Sequence, residues 1–212
     1  MTLQCNLDAF RASWEHRLGT GTCSIVEKDI EAATANISAA HTACPGEKFP
    51  LDDRLRDAHN KPFDLKSYAT GKSVVIKIYR GGWCPFCRID LRAYEAFLPA
   101  IIAKGAAFVA ISPELPHYVA KTIEENDLTF PALSDVGGVM IKKLGLQWPV
   151  PGEIESHLQK AGINLKLIYG TTVPCVSIPA TYVLSPDGRV AEAFLTGDFR
   201  KREEPEQILQ WL

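Results

Sequence analysis

Residues 73–91 read SVVIKIYRGGWCPFCRIDL, and the fold is decided there. The first seven are β-branched and apolar, with no Pro or Gly, which predicts a parallel strand buried on both faces. Residues 85 to about 104 carry apolar side chains at helical spacing through Ile89, Ala93, Ala96, Phe97 and Ile101, and Gly105 supplies a stop. AAFVAIS at 106–112 makes the next strand. Strand, helix and strand in this order form a βαβ unit, so the two strands are parallel with a right-handed crossover.

Working outward, helices are expected between Pro116 and Asn126 and near Val139–Leu144. ATYVLS at 180–185, SPDG at 185–188 and RVAEAFL at 189–195 predict an antiparallel hairpin. EPEQILQWL closes the chain as a helix with Pro205 in its first turn. Residues 3 to about 43 read as two helices. The second opens at the capping-box spacing Ser24–Glu27 and runs through Ile30, Ala33 and Ile37 to Ala40. CPGE at 44–47 interrupts the pattern, so the division is a helical extension at 1–45 and a redox domain at 46–212. The fold class is α/β: a mixed central sheet, parallel first and ending in an antiparallel hairpin, flanked by helices.

A chain of 212 residues holds one sizeable domain, and a formal charge of −2 offers no electrostatic reason to bind nucleic acid or an anionic membrane. The first twenty residues include Asp8 and Glu15 and lack the apolar run of a secretory leader. No window approaches the roughly 18 apolar residues of a spanning helix. The expected setting is cytoplasmic, where six cysteines rest as thiols unless turnover oxidises them.

Cys84 and Cys87 fall where a strand ends and a helix begins, at the carboxyl edge of the parallel strands, a usual place for chemistry in α/β proteins. The partial positive charge and free N–H groups of a helix start stabilise a thiolate, lowering a cysteine there from about 8.5 to between roughly 3.5 and 7.5. One helical turn also brings the two Cα atoms into disulfide range. Pro85 suits a first helical turn, Gly81 and Gly82 let the entry loop bend, and Trp83 covers one flank or simply packs. Inert core filling is the bland alternative. A zinc site would need further ligands, but no second Cys-x-x-Cys appears and His16, His41, His59, His117 and His157 are scattered. The pattern implies redox chemistry with no bound cofactor or metal.

Over residues 46 to 200 the chain resembles the peroxiredoxin-like proteins of the alkyl hydroperoxide reductase and thiol-specific antioxidant family, within the thioredoxin-fold superfamily. The resemblance rests on PGEKFPL leading to FDLKSY, on VVIKIYRGGWCPFCR, on LTFPALSD at 128–135 and on IPATYVLSPDGRV. It implies a thioredoxin-like fold, with Pro179 as the cis-proline facing the cysteine pair. Read from the residues alone, a trans proline opening a strand is the alternative. The family's peroxide site has Thr-x-x-Cys and an arginine after the proline. Here the threonine falls on Cys84, the peroxidatic cysteine on Cys87, and Ala180 stands where the arginine would be. Arg80 and Arg88 flank the pair and are the candidates to replace that charge. Cys175, shortly before Pro179, is a candidate spare thiol, whereas Cys5, Cys23 and Cys44 lie in the N-terminal stretch.

The resemblance favours a thiol peroxidase that reduces hydrogen peroxide or organic hydroperoxides through a Cys84–Cys87 disulfide and is regenerated by a thioredoxin-like donor. WCPFC itself looks more like the thiol-disulfide oxidoreductases, which would act on protein or small-molecule disulfides. A redox-sensing docking module is the third reading. Position and exposure at the helix start choose Cys84 as the attacking sulfur, while the family alignment points to Cys87. The sequence leaves open a homodimer, the oxidant, and whether residues 146–175 cover the pair.

Overall fold

The computed structural model describes residues 2–39, 43–51 and 54–212, and of residues 38 and 39 the backbone only. After the N-terminal helix α1 (Leu3–Ala39) and the short α2 (Leu65–Ala69) come β1 (Val74–Ile78), α3 (Pro85–Ala103), β2 (Ala107–Ser112) and α4 (Pro116–Asn126). Then follow β3 (Ala132–Ser134), α5 (Val139–Lys143), β4 (Gln147–Pro149), α6 (Gly152–Lys160), α7 (Leu165–Tyr169) and β5 (Cys175–Ser177). The hairpin β6 (Ala180–Leu184) and β7 (Val190–Leu195) leads to α8 (Pro205–Trp211).

The central sheet has the order β3-β2-β1-β6-β7. Strands β1, β2 and β3 are parallel, whereas β6 runs antiparallel to β1 and β7 antiparallel to β6. This is the mixed, thioredoxin-like sheet expected from the βαβ unit and the hairpin. All five residues of β1 are buried, because helices cover both faces. Val74, Ile76 and Ile78 pack with Leu65, Met140 and Leu144 on one side. Val75 and Tyr79 pack with Leu91, Tyr94 and Ile208 on the other. Strands β4 and β5 pair separately as an antiparallel ribbon.

Two expectations need correction. The break in the N-terminal helix falls at Gly19 (φ 77°, ψ 160°), and Ser24 lies inside the second segment. Glycine reaches that left-handed φ without a steric penalty. Glu27 does not turn back to cap Ser24; its carboxylate takes two hydrogen bonds from Arg200, at 2.5 and 3.0 Å. The expected helix end at Ala40, and His41, lie outside the described residues. Secondly, no cis peptide bond occurs among the described residues, so Pro179 is trans. Ile178 donates its N–H to Leu146 O at 2.7 Å, and Pro179 falls just before β6, where the ladder requires no donor.

Helix α1 does not stand apart from the sheet. Leu3 and Leu7 belong to the core on the α3 side, whereas Ala33 belongs to the core on the opposite side. The helix therefore crosses the carboxyl end of the parallel strands as a strap. It is fastened along its length. Glu204 accepts from the N–H groups of Leu3 and Gln4, both at 2.8 Å, and occupies the positive end of the helix. Arg200 holds Glu15 at 3.1 Å and Glu27 at 2.5 Å, one on each side of Gly19. Trp148 Nε1 donates to Asp29 Oδ1 at 2.9 Å near the far end.

Candidate active site

Cys84 is the N-cap residue of α3, with Pro85 at the first helical position and Cys87 one turn on. Cys84 O accepts from the N–H groups of Cys87 and Arg88, both at 3.1 Å, which sets the first turn. The loop before it is tightly built. Gly82 N–H donates to Glu114 Oε1 at 3.0 Å, and a Cβ at Gly82 would overlap Thr122 Oγ1. Gly81 has φ +142°, and a Cβ there would come within 2.7 Å of Glu114 and Trp83. Trp83 is fixed by its indole N–H, which donates to Tyr169 Oη at 2.9 Å; Tyr169 in turn donates to Arg80 O at 2.6 Å. Tyr169 sits on α7, so the 146–175 segment holds the loop beside the pair instead of hanging as a surface insertion.

The expected exposure of Cys84 is overturned. The residue is 2% exposed and Cys87 is fully buried. The cause is the strap. Phe10 and Trp14 of α1 stack edge-on against Phe86, at 5.1 and 5.4 Å between centroids, and Phe199 joins them at 5.6 Å from Phe86. Each such contact contributes about 0.5–1.5 kcal/mol beyond area burial. Cys84 nevertheless lines a cavity of about 270 Å³ between α1, α6 and the start of α3, whereas Cys87 does not reach it.

The two sulfurs differ electrostatically. A hydrogen bond from Cys87, aided by Arg80 and Arg202, outweighs burial and brings the Cys84 thiol down to about 6. Burial, reinforced by the neighbouring Cys84, pushes the Cys87 thiol well up. Arg80 is 7% exposed and lies over two aromatic faces, 4.3 Å from the Phe199 centroid and 5.2 Å from that of Trp83. It lines the cavity together with Cys84. Arg88 does not join the pair. It faces a separate cleft with Glu114, Lys121 and Glu125, since its place on α3 turns it away from the strap.

Three buried residues behind the pair escaped the sequence reading. Arg202 Nη2 donates to Cys87 Sγ at 3.5 Å, and its Nε donates to Asp90 Oδ2 at 2.8 Å. Lys77 Nζ lies 2.9 Å from Asp90 Oδ1, close enough to pair although not aligned as a hydrogen bond, and 4.0 Å from the Tyr94 centroid. One carboxylate thus stands between two basic side chains, and burial pushes the Lys77 amine down despite the nearby Asp90. The sign of this cluster was present at Lys77, a charge inside a strand otherwise read as fully buried, because such a charge needs a partner. Nothing local in the sequence marked Arg202.

Pro179 lines a small recess with Arg80, Ser177 and Phe199, and Ser177 Oγ donates to Tyr79 O at 2.7 Å. The Pro179 loop is thereby held at the end of β1, on the same edge as the pair. Cys175 is half-buried opposite Pro149 on the ribbon and does not line the Cys84 cavity. Among the described residues no group of three or more His, Cys, Asp or Glu is placed to hold a metal ion. No described helix is long and apolar enough to cross a membrane.

Comparison with known proteins agrees with this architecture. A protein named as a peroxiredoxin in Mycobacterium tuberculosis is 30% identical over 149 residues, 70% of this chain and 83% of that one. A thiol-disulfide oxidoreductase of Bacillus thuringiensis, ResA, is 29% identical over 93 residues, covering 43% of this chain and 53% of its own. Among solved structures, the peroxidoxin BcpB of M. tuberculosis superposes with a TM-score of 0.62 at 18% identity, over 81% of this chain and 96% of that one. Reduced Prx3 of Vibrio vulnificus, solved with hydrogen peroxide, gives 0.63 at 18% identity over 80% and 98%. These likenesses establish the thioredoxin-type fold. Residues 45–193 match the AhpC/TSA family, so the chain belongs to that family as a peroxiredoxin-like oxidoreductase.

Proposed function

We propose that this oxidoreductase is a thiol peroxidase in which Cys84 attacks a hydroperoxide and Cys87 resolves the product. The observation that carries the reading is the division between the sulfurs: Cys84 lines a cavity with its thiol brought to about 6, while Cys87 lies behind it against Arg202. Near pH 7 most of Cys84 is then thiolate. The thiolate attacks the outer oxygen, the O–O bond breaks, and the departing oxygen takes a proton and leaves as water or an alcohol. Cys84 becomes a sulfenic acid, two electrons more oxidised. The Cys87 thiol condenses with it, releasing water and closing the Cys84–Cys87 disulfide. Arg80, which lines the same cavity, serves in this scheme to stabilise the charge developing on the leaving oxygen, which fits the absence of an arginine at Ala180. Arg202 stabilises negative charge on Cys87 when the disulfide is reduced again.

A thioredoxin-like dithiol is the reductant in this scheme, and a cytoplasmic setting suits the free thiols. With Cys84 under the strap, a protein donor reaches the disulfide only after α1 shifts. Exchange with other disulfides is the second reading, favoured by the low-pKa first cysteine of WCPFC and by the partial match to ResA. The test uses Cys84→Ser and Cys87→Ser proteins treated with hydroperoxide and a sulfenic-acid probe. Labelling is expected only in Cys87→Ser. Labelling only in Cys84→Ser would reverse the assignment, and turnover with disulfides alone would replace the peroxidase reading with the second one.

A further inference from the structure

We propose that the cleft on the Arg88 side of Trp83 binds a small organic carboxylate, an effector distinct from the substrate, whose presence is passed to Cys84 through Trp83. The cleft lies between the start of α3, α4 and α7 and measures about 410 Å³, within the range of small-molecule sites. It shares only Trp83 and Ile163 with the cavity that Cys84 lines.

Two features describe the ligand. Arg88 is half-buried in the cleft, and its guanidinium makes no ion pair or hydrogen bond with any described residue. The planar fork of its N–H donors matches the two oxygens of a carboxylate. Leu167, on α7, lines the same cleft and is 65% exposed. With Ile163, Ile168 and the rings of Trp83 and Tyr118, it offers burial to a hydrocarbon body.

The other charges of the cleft limit the ligand to one negative charge. Lys121 lies 3.6 Å from Glu125. Glu114 accepts from Gly82 N–H and Ser112 Oγ, at 3.0 and 3.3 Å, and burial pushes it up to about 7. Among the described residues of the cleft, Arg88 is thus the cation without a partner. One carboxylate balances it, whereas a phosphate brings about −1.5 to −2 and meets Glu114 and Glu125 as well.

Trp83 connects the cleft to the pair. Its indole is held by Tyr169, and the ring walls both cavities directly before Cys84 in the chain. Arg80, which helps to lower Cys84, lies 5.2 Å from the same ring's centroid. A ligand packed against Trp83 restrains the loop that enters α3, and a buried Cys84 reacts with reagents in solution only when its surroundings open.

Calorimetry with phenylacetate, which joins one carboxylate to an apolar ring, tests the site. 2-Phenylethanol and inorganic phosphate each lack one of the two features and should bind at least about tenfold more weakly, the worth of a hydrogen bond to a charged group. Arg88→Gln should weaken phenylacetate by about that factor, and Arg88→Lys should recover only part of it because the fork is lost. Leu167→Ser should weaken it severalfold. Both side chains reach solvent, so these variants should fold, which circular dichroism checks. At saturation, phenylacetate should slow alkylation of Cys84 by iodoacetamide, followed on the Cys84 peptide, by about fivefold or more, the usual size of coupling between sites. Arg88→Gln should remove that effect at the same concentration. No binding of phenylacetate, equal binding of phosphate, or binding indifferent to Arg88→Gln overturns the site. Binding that leaves alkylation unchanged overturns the effector role. Neither measurement uses turnover, so failure of the peroxidase reading leaves both outcomes intact.

Discussion

Within residues 45–193 the chain carries both sulfurs of the proposed site, the helix start at Cys84 and the sheet edge that presents them. The two ends, 3–39 and 196–212, hold none of the reacting atoms. Yet the ends supply Arg202 against Cys87, the Arg200 clamp and the aromatic cover of Trp14 and Phe199. The comparison separates reactivity from access. The Cys87 hydrogen bond and Arg80 lower Cys84 from within the matched segment and Arg202 adds to them from the C-terminal end, whereas what Cys84 meets is decided by chain ends that close over it.

The largest effect that would break this division is expected behind the pair. Arg202→Met leaves Asp90 buried with only Lys77, and removing one partner of a buried ion pair costs about 3–5 kcal/mol. Urea unfolding should show a loss near the lower figure, because Lys77 remains 2.9 Å from Asp90. A loss below about 1 kcal/mol would mean that the C-terminal end is not needed to hold the site.

Next comes the strap. Arg200→Gln removes the bonds that span Gly19, and loosening by about 1 kcal/mol corresponds to roughly fivefold more open state. Alkylation of Cys84 by iodoacetamide should accelerate by about that factor, and reduction by thioredoxin with it. An unchanged alkylation rate would show that α1 does not control access.

The pH dependence sharpens the electrostatic half. With Cys84 at about 6, alkylation should rise through that pH and level off above it. The folded value lies below the ordinary value of about 8.5, so ionisation of Cys84 stabilises the fold fully above about 8.5. That contribution is lost as pH falls through about 6, and Cys84→Ser should abolish this part of the stability profile.

The last comparison concerns Glu114, which burial pushes up to about 7. Its folded value lies above the ordinary carboxylate value of about 4.3, so charging it costs stability as pH rises through about 7. Glu114→Gln should gain on the native protein above that pH and lose the advantage in acid. A gap that does not vary with pH would remove the charge from the explanation.

How far the sequence could be read follows from the range of each interaction. The strand-helix-strand unit around 73–112 and the helices at 116–126 and 205–211 were legible because periodicity and end residues act over one or two turns. The helix break at Gly19 was misplaced because Ser24–Glu27 satisfied a local rule that a distant arginine overrode. Arg88 looked as suitable as Arg80 because adjacency along the chain does not report which side of α3 a residue faces.

Local chemistry alone picks out Cys84 and Cys87 as the candidate redox pair: one helical turn, a positive helix end and a strand that delivers them to the sheet edge. Folding decided that Cys84 lies under a roof, that Arg202 from the far end of the chain touches Cys87, and that a cavity remains between α1 and α6. These depend on contacts between residues more than seventy positions apart, chosen by which apolar faces bury best against one another. No short pattern of residues encodes that choice.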